Sequence, residues 1–447
     1  MKIRFIKALV FFTVIIASGC NKKLDTVPTQ SIDANVALKT SDDVKVALVG
    51  AYKDFGVADF YGGRIFLDAD LLADVNELNW TGTYQGMTQI NNKSIPVDNL
   101  FVTNIWLAGY KAINDVNNVL SSINVLDAND KDRVQGEAEF IRGASYFELV
   151  KMFAKDWSDG APASNPGVPL VLTPTTVISD ASKVKRNTVA EVYAQVINDL
   201  KDAEDKLPAS NGFFATKQAA EAILARVYLQ QQDYANAAQY ANSAINNAVN
   251  NNNGGLVSNY ADAFGPKNTI EDIFAIQVTE SSGTQGFNEF YSSAQRGDIQ
   301  INDAHLQLYD PADDRLNLFY NDNGSIYTGK FEELYGNVHT IRLAEMYLIR
   351  AESNFRLGTA VGDTPENDIN LIRARVNLPP YAAGTLTLDE ILLERKLELA
   401  FEGFSLDDVK RLNKNVGLLP WNSPKLIFPI PKRELIVNSN LTQNAGY

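Results

Sequence analysis

The residue types that most often carry acid–base, nucleophilic or metal chemistry are few in this chain and lie far apart. Its two histidines are His305 and His339, and its one cysteine is Cys20. The strings H-E-x-x-H, G-x-S-x-G, G-x-x-x-x-G-K-[ST] and C-x-x-C do not occur, so the usual signals of metalloproteases, serine hydrolases, nucleotide-binding loops and dithiol sites are missing. We therefore predict no catalytic residue, no metal ligand and no cofactor, with both histidines in structural roles.

Two sets of carboxylates are spaced closely enough to share a ligand or a proton. The first set comprises Asp68, Asp70, Asp74 and Glu77. It lacks the central glycine and the distal glutamate of an EF-hand loop, so we favour structural roles over calcium binding. The second set comprises Glu394, Glu398 and Glu402. Residues four apart share one helix face, and Arg395 and Lys396 are interleaved, so we predict a solvated or salt-bridged stripe rather than an acid–base pair.

Aromatic side chains in segments without helical periodicity are the best candidates for contacting a ligand. The chain has 22 Phe, 18 Tyr and 4 Trp residues. A flat ring offers an apolar surface to the C–H groups of a sugar, and neighbouring amides can hydrogen-bond to its hydroxyls. Packing of the same rings into the core is an equally good interpretation of each residue taken alone. The candidate ligand-binding residues are Asn79, Trp80, Tyr84, Phe287 and Tyr291.

Cys20 ends a stretch that has the layout of a bacterial lipoprotein signal. Basic residues precede an apolar core at 8–17, and small residues come directly before the cysteine. Ten core residues are half of the roughly 20 needed to span a bilayer, which argues against a retained transmembrane helix. We predict a signal peptide at 1–19, a lipidated tether at 20–40 and one folded domain at 41–447. A buried free cysteine or a plain secretory signal is the alternative.

Composition and charge indicate which kinds of binding partner this protein can have. The net charge is −14 and no basic stripe is present, which argues against nucleic acid. With 45% hydrophobic residues the chain can build a large core without disulfides. No other apolar run of 18 residues occurs, so membrane attachment is expected from acyl chains alone.

The spacing of apolar residues predicts a mainly helical fold with few strands. Order is expected to begin near Ser41. Further helices are predicted at 104–124, 132–154, 188–206, 216–231, 233–249, 340–357, 366–376, 388–402 and 405–413. Short strands are predicted at 273–278 and 426–428. Segments 56–103 and 279–339 lack a sustained period, so we expect loop-rich, functional regions there.

Segment 216–249 has the pattern of a tetratricopeptide helix pair. Small or aromatic residues follow Ala225 at Tyr228, Ala237, Ala241 and Ala244. Small side chains at such positions let two antiparallel helices approach closely. No strict repeat of about 34 residues runs through the chain. We therefore predict helix pairs, mainly before residue 250 and again at 340–358, with long connections between them.

The order of several strings resembles the SusD/RagB family of outer-membrane nutrient-binding lipoproteins. The matching strings are 138–149 (AEFIRGASYFEL), 167–170 (GVPL), 188–193 (TVAEVY), 341–352 (IRLAEMYLIRAE), 372–375 (IRAR), 394–403 (ERKLELAFEG), 428–431 (FPIP) and 440–447 (NLTQNAGY). The resemblance runs along the mature chain. It departs from the family pattern after Gly403, where a His-Arg-Trp-like string is often found, and at Ala154, where Gly is common. These strings are scaffold elements, so they do not identify the ligand.

The resemblance implies a helical, lipid-anchored receptor of the outer membrane that faces the cell exterior. Such a receptor would capture a glycan and deliver it to a SusC-like TonB-dependent transporter, without catalysis. We place the expected binding site in loops 76–92 and 281–296. A member that binds peptides or another nutrient is an alternative, and a glycoside hydrolase or a pure protein-interaction scaffold is a more distant one.

Overall fold

The computed structural model describes residues 38–447. The predicted signal peptide, Cys20 and the predicted tether up to residue 37 lie outside the described residues. Within 38–447 the chain forms fifteen α-helices and six short strands, which confirms the mainly helical fold. The helices are α1 (Ser41–Phe55), α2 (Arg64–Ala73), α3 (Gln85–Asn91), α4 (Leu100–Ser121), α5 (Ala128–Phe153), α6 (Val189–Lys206), α7 (Lys217–Gln230), α8 (Tyr234–Asn252), α9 (Gly286–Tyr291), α10 (Asp303–Leu306), α11 (Leu343–Leu357), α12 (Pro365–Ala374), α13 (Leu388–Glu398), α14 (Ser405–Arg411) and α15 (Lys432–Val437).

Local signals explain where several of these helices begin. At the start of α6, the backbone amide of Glu191 donates to the hydroxyl of Thr188, and the amide of Thr188 donates to the carboxylate of Glu191. Thr387 and Glu390 form the same reciprocal capping box before α13. Each box satisfies two backbone donors that a helix start leaves unpaired. The capped ends therefore agree closely with the boundaries predicted from sequence.

The predicted tetratricopeptide-like pair is present as α7 and α8, which pack against each other. Ala225 of α7 and Ala237, Ala241 and Ala244 of α8 are completely buried. Their short side chains permit the close approach that the pattern predicts. α8 also packs on α11, and α5 packs on both α4 and α6, so neighbouring helix pairs share one layered core.

The strands form three separate two-stranded antiparallel ribbons. β1 (Leu78–Trp80) pairs with β3 (Ile299–Ile301), β2 (Asp272–Ile276) with β6 (Val338–Arg342), and β4 (Phe319–Asp322) with β5 (Ser325–Thr328). The strand predicted at 273–278 is thus confirmed. The strand predicted at 426–428 is wrong, because Pro424–Leu426 forms a 3₁₀ turn. Pro429 and Pro431 follow that turn, and neither has an N–H group to pair in a sheet.

Segments predicted to be loop-rich contain more regular structure than expected. The segment 56–103 includes α2 and α3, and 279–339 includes α9, α10 and three strands. All ten residues of α2 are buried, including Arg64, Asp68 and Asp70. Its charged side chains are buried by tertiary contacts, as where Asp70 accepts a hydrogen bond from the backbone amide of Gly403, and such contacts are not visible in the sequence.

Glu394, Glu398 and Glu402 are buried rather than solvated, and Glu402 lies beyond the end of α13. Glu398 is completely buried and lies 2.6 Å from Arg375 and 3.0 Å from Arg342. Glu402 lies 2.7 Å from Arg342 and 2.8 Å from Lys330. Burial alone would raise the pKa of Glu398, but the neighbouring arginines outweigh it and lower the pKa to about 2. The salt-bridged interpretation is therefore confirmed, and the solvated one is wrong.

Candidate ligand-binding site

The β1–β3 ribbon carries the exposed part of the predicted site. Asn79 stands opposite Gln300 and Trp80 opposite Ile299. Side chains alternate along a strand, so Asn79 is exposed while the preceding Leu78 is buried. The amide Nδ2 of Asn79 donates to Oε1 of Gln300 over 3.0 Å. Two amide side chains therefore lie next to each other on the outer face of the ribbon.

Trp80 and Tyr84 provide aromatic surface at the same ribbon. Trp80 directly follows Asn79 in β1, so its side chain points to the opposite face from the amides. Trp80 is half-buried, and its indole Nε1 donates to the hydroxyl of Thr88 in α3 over 2.8 Å. Tyr84 is 38% exposed, and its ring centroid lies 5.6 Å from that of Phe101. Both rings also pack about the buried Phe290, at centroid distances of 6.0 Å and 6.1 Å. Packing thus fixes both rings while part of each stays open to solvent.

Arg296 completes this surface, although it was not among the predicted residues. Its guanidinium carbon lies 3.9 Å from the centre of the Tyr84 ring, a cation–π arrangement. Its Nε atom donates to the carboxylate of Asp298 over 2.7 Å. More than 200 residues separate Arg296 from Tyr84, so no local pattern could link them. We call Asn79, Trp80, Tyr84 and Arg296 the ribbon site.

The other two predicted ligand-binding residues lie in the core and do not join the ribbon site. Phe287 is 4% exposed and Tyr291 is not exposed at all. Phe287 stacks on Phe331 with ring centroids 4.4 Å apart, and Tyr291 lies 5.9 Å from Phe401. Both residues belong to α9, which packs on α2. The structure therefore corrects their placement from an exposed loop to a buried helix.

The carboxylates grouped at 68–77 are separated by their structural partners. Asp70 accepts a hydrogen bond of 2.8 Å from the backbone amide of Gly403, and burial raises its pKa to about 7. Asp74 accepts from the amide of Glu77 over 2.8 Å, and Glu77 Oε2 lies 2.8 Å from Nδ1 of His305. Among residues 38–447, no group of three or more His, Cys, Asp or Glu side chains is placed to hold a metal ion.

Both histidines are held by neighbours that explain their presence without catalysis. The Nε2 atom of His305 lies 3.1 Å from the hydroxyl of Tyr309. In the β2–β6 ribbon, Nδ1 of His339 lies 2.7 Å from Asp272 and its Nε2 lies 3.0 Å from the carbonyl of Gly265. These contacts agree with the predicted structural roles.

Comparison with known proteins shows which family this chain resembles. Residues 29–229 match the family described as "Starch-binding associating with outer membrane", and residues 315–423 match the one described as "SusD family". The chain belongs to the SusD/RagB family. SusD-like protein P2 of Formosa agariphila is 26% identical over an alignment that covers 96% of this chain and 97% of that relative. Starch-binding protein SusD of Bacteroides thetaiotaomicron is 33% identical over 124 residues, or 25% of this chain and 22% of that protein.

Solved SusD-like structures share the fold over nearly their whole length. A putative sugar binding protein from Bacteroides vulgatus has a TM-score of 0.82 and 27% identity, with 92% of this chain and 99% of that chain covered. A SusD superfamily protein from Bacteroides thetaiotaomicron has a TM-score of 0.81 and 26% identity, with 91% and 99% covered.

Membership of this family supports a glycan-binding role and an association with the outer membrane. Within residues 38–447, no helix of this SusD-like chain has the length and hydropathy to cross a membrane.

Proposed function

We propose that this SusD-like protein captures oligo- or polysaccharides at the ribbon site and passes them, chemically unchanged, to a SusC-like TonB-dependent transporter. In this proposal a lipid on Cys20 anchors the protein in the outer membrane, and the folded body faces the cell exterior. The observation that carries the proposal is the partly exposed Tyr84 ring, which lies against Arg296 and packs together with Trp80 about Phe290.

The chemistry of the ribbon site matches that of a sugar. An aromatic ring offers its face to sugar C–H groups, and Tyr84 and Trp80 are already fixed by packing, so little ordering is needed when a glycan binds. Asn79 and Gln300 present amide groups that donate to and accept from hydroxyls. The paired charges of Arg296 and Asp298 add further hydrogen-bonding atoms at the rim.

The openness of the ribbon site suits a carrier that hands its ligand onward. A site in a delivery path must bind well enough to capture and weakly enough to release. The Tyr84 ring is exposed and the Trp80 ring is half-buried, so neither ring is enclosed in a cavity. We therefore expect modest affinity for one sugar unit and stronger retention of a long chain that makes repeated contacts.

Affinity gels that contain polysaccharide test the ribbon site directly. We expect the double variant Trp80→Ala, Tyr84→Ala to lose its retardation by the polysaccharide that retards the parent protein. Phe213→Ala is the matched control, because Phe213 is 64% exposed and its neighbour Phe214 packs on Tyr52 of α1 instead. Unchanged retardation of the double variant, with Phe213→Ala behaving like the parent, would refute the placement.

The alternatives give different results in the same set of assays. A panel of polysaccharides and peptides, examined by calorimetry, separates a glycan receptor from a peptide receptor of the same fold. Release of new reducing ends during incubation would indicate a glycoside hydrolase. Co-purification with a transporter without binding of any panel member would indicate a scaffold.

Anchoring and delivery need a separate test in cells. We expect Cys20→Ser to prevent lipid labelling and to release the protein from the outer-membrane fraction. We also expect the parent protein to co-purify with a SusC-like transporter, and to be digested by protease added to intact cells if it faces outward.

A further inference from the structure

A cavity lies apart from the ribbon site, among segments that contribute no residue to that site. Its volume is about 330 Å³, at the lower end of the range of about 300–1,000 Å³ typical of ligand sites. The segment after α5 forms one wall, the end of α14 a second, and the C-terminal segments around 421–427 and 443–445 the rest.

Lys410 of α14 supplies the distinctive group in this cavity. It is 4% exposed, and its Nζ atom donates to the backbone carbonyl of Lys151 over 3.1 Å. No carboxylate of residues 38–447 lies within 4 Å of this ammonium. The other lysine buried to this degree in the described chain, Lys330, has Glu402 at 2.8 Å. Asp156, Asp407 and Asp159 act on this ammonium only from beyond 4 Å, so an anion at hydrogen-bonding distance would stabilise the buried charge.

The two acidic residues of the cavity wall, Asp156 and Asp159, already have hydrogen-bond or ion-pair partners within the protein. Asp156 accepts from Gln230 over 2.6 Å and from the hydroxyl of Ser158 over 2.7 Å. Asp159 lies 3.3 Å from Lys155 and accepts from Asn422. These hydrogen bonds hold both carboxylates in place at the cavity wall.

The remaining wall fits a sugar ring. Trp421, Pro424 and Ile427 line the cavity with apolar surface, which suits the C–H face of a pyranose. Asn444 donates both hydrogens of its amide to the carbonyls of Phe153 and Phe428, each over 2.8 Å. Its Oδ1 atom has no donor within residues 38–447, so it remains to accept from a ligand hydroxyl.

We propose that this cavity is a second binding site that takes a uronate, a sugar ring bearing a carboxylate, with the carboxylate on Lys410 and the ring against Trp421. Such a group occurs as a free monosaccharide or as the end of an acidic glycan. The two sources share the same chemistry, and a free uronate and a uronate-ended oligosaccharide distinguish them. The ribbon site is not involved, so either proposal can fail without the other.

Calorimetry with sodium glucuronate on the whole mature protein tests this site. We expect saturable binding of glucuronate and at least tenfold weaker binding of glucose. Lys410→Met is expected to lose at least tenfold in affinity. Lys425→Met is the matched control, because Lys425 is exposed, lies in the same C-terminal region and does not line the cavity. Trp421→Ala tests the ring contact independently, with an expected loss of about tenfold.

Three results would overturn the proposal. The first is equal affinity for glucose and glucuronate, and the second is undiminished glucuronate binding by Lys410→Met. The third is loss of glucuronate binding in the ribbon variant Trp80→Ala, Tyr84→Ala while Lys410→Met still binds glucuronate fully. Competition by a glucuronate-ended oligosaccharide would support a glycan end as the source. Binding of free glucuronate alone would support the monosaccharide.

The pH dependence provides a second readout that a structural role of Lys410 would not give. Burial lowers the pKa of Lys410 to about 8, although Asp156 and Asp407 act in the opposite direction. Asp159 opposes the shift as well, and Lys151 reinforces it. Because the ammonium form binds the carboxylate, affinity for glucuronate is expected to fall by up to about tenfold per pH unit above 8. Affinity that is constant from pH 7 to pH 9.5 would contradict the assigned contact.

Discussion

Replacing Arg342 by methionine tests whether a buried charge network holds β6 to the region after α13. The guanidinium of Arg342 lies 2.6 Å from Glu271, 3.0 Å from Glu398 and 2.7 Å from Glu402. Removing one partner of a buried ion pair costs about 3–5 kcal/mol, because the other charge stays in the interior. Arg375 still pairs with Glu398 and Glu271 in the variant. We therefore expect a cost near the lower limit, about 3 kcal/mol.

The pH dependence of this loss follows from the pKa of Glu398. Its folded pKa of about 2 lies below the ordinary glutamate value of 4.5, so the network stabilises the fold above pH 4.5 and loses that contribution as the pH falls towards 2. The Arg342→Met variant has a smaller contribution to lose. The difference in unfolding free energy between the two proteins is thus expected to shrink from pH 7 to pH 3.

Urea unfolding followed by circular dichroism at pH 7 and pH 3 measures both effects. Arg433→Met is the control, because Arg433 is exposed and pairs with Glu434 at the surface, where such pairs contribute about 0–1 kcal/mol. A cost below about 1 kcal/mol for Arg342→Met would refute the reasoning about uncompensated buried charge.

Three further predictions concern single side chains. Gly403→Ala should destabilise the fold by about 2–4 kcal/mol in urea unfolding, because φ is +90° and the added Cβ would lie 2.4 Å from Cβ of Phe66. Gly82→Ala should weaken retention in polysaccharide gels while the thermal midpoint changes little, because its Cβ would lie 2.4 Å from the indole of Trp80 and displace that ring. The free energy of unfolding of Asp70→Asn should rise by about 2–3 kcal/mol relative to that of the parent from pH 5 to pH 7, because burial raises the pKa of Asp70 to about 7 and the parent loses stability as the pH rises from 3.8 through 7.

Each of these predictions has its own control or contrary outcome. Gly358 also has a positive φ, +65°, but no atom within 4 Å of an added Cβ, so Gly358→Ala should cost only about 1 kcal/mol. Equal costs at the two glycines would show that contact with Phe66 is unimportant. Full retention by Gly82→Ala would separate the Trp80 ring from glycan binding. A difference between Asp70→Asn and the parent that does not change with pH would show that Asp70 stays ionised across that range.

The sequence predicted most of the helices because their signals are local. Helix α6 has an apolar stripe that repeats every three or four residues. The capping boxes of α6 and α13 each join two residues that are three positions apart in the chain. The alanines of α7 and α8 also gave the correct pairing, since close approach depends on residue size at fixed spacing. Helix α2 was missed because it is short and its charged residues are buried by contacts with distant segments, such as that of Asp70 with Gly403.

The predicted site residues were likewise placed correctly only in part. Asn79, Trp80 and Tyr84 follow one another closely, and they remain together at the β1–β3 ribbon. Phe287 and Tyr291 have similar local surroundings in the sequence, yet α9 carries them into the core. No pattern within a few residues distinguishes an aromatic ring that packs inward from one that faces solvent.

What the sequence alone determined is the helical framework and the family, because both are written in short strings and in spacings along single elements. Only the tertiary structure decided which rings are exposed, that Arg296 lies on Tyr84, and that Lys410 faces a cavity without an ion-pair partner. These facts depend on contacts between segments up to several hundred residues apart. Burial and ion pairing are properties of the assembled core, and no single stretch of the chain contains them.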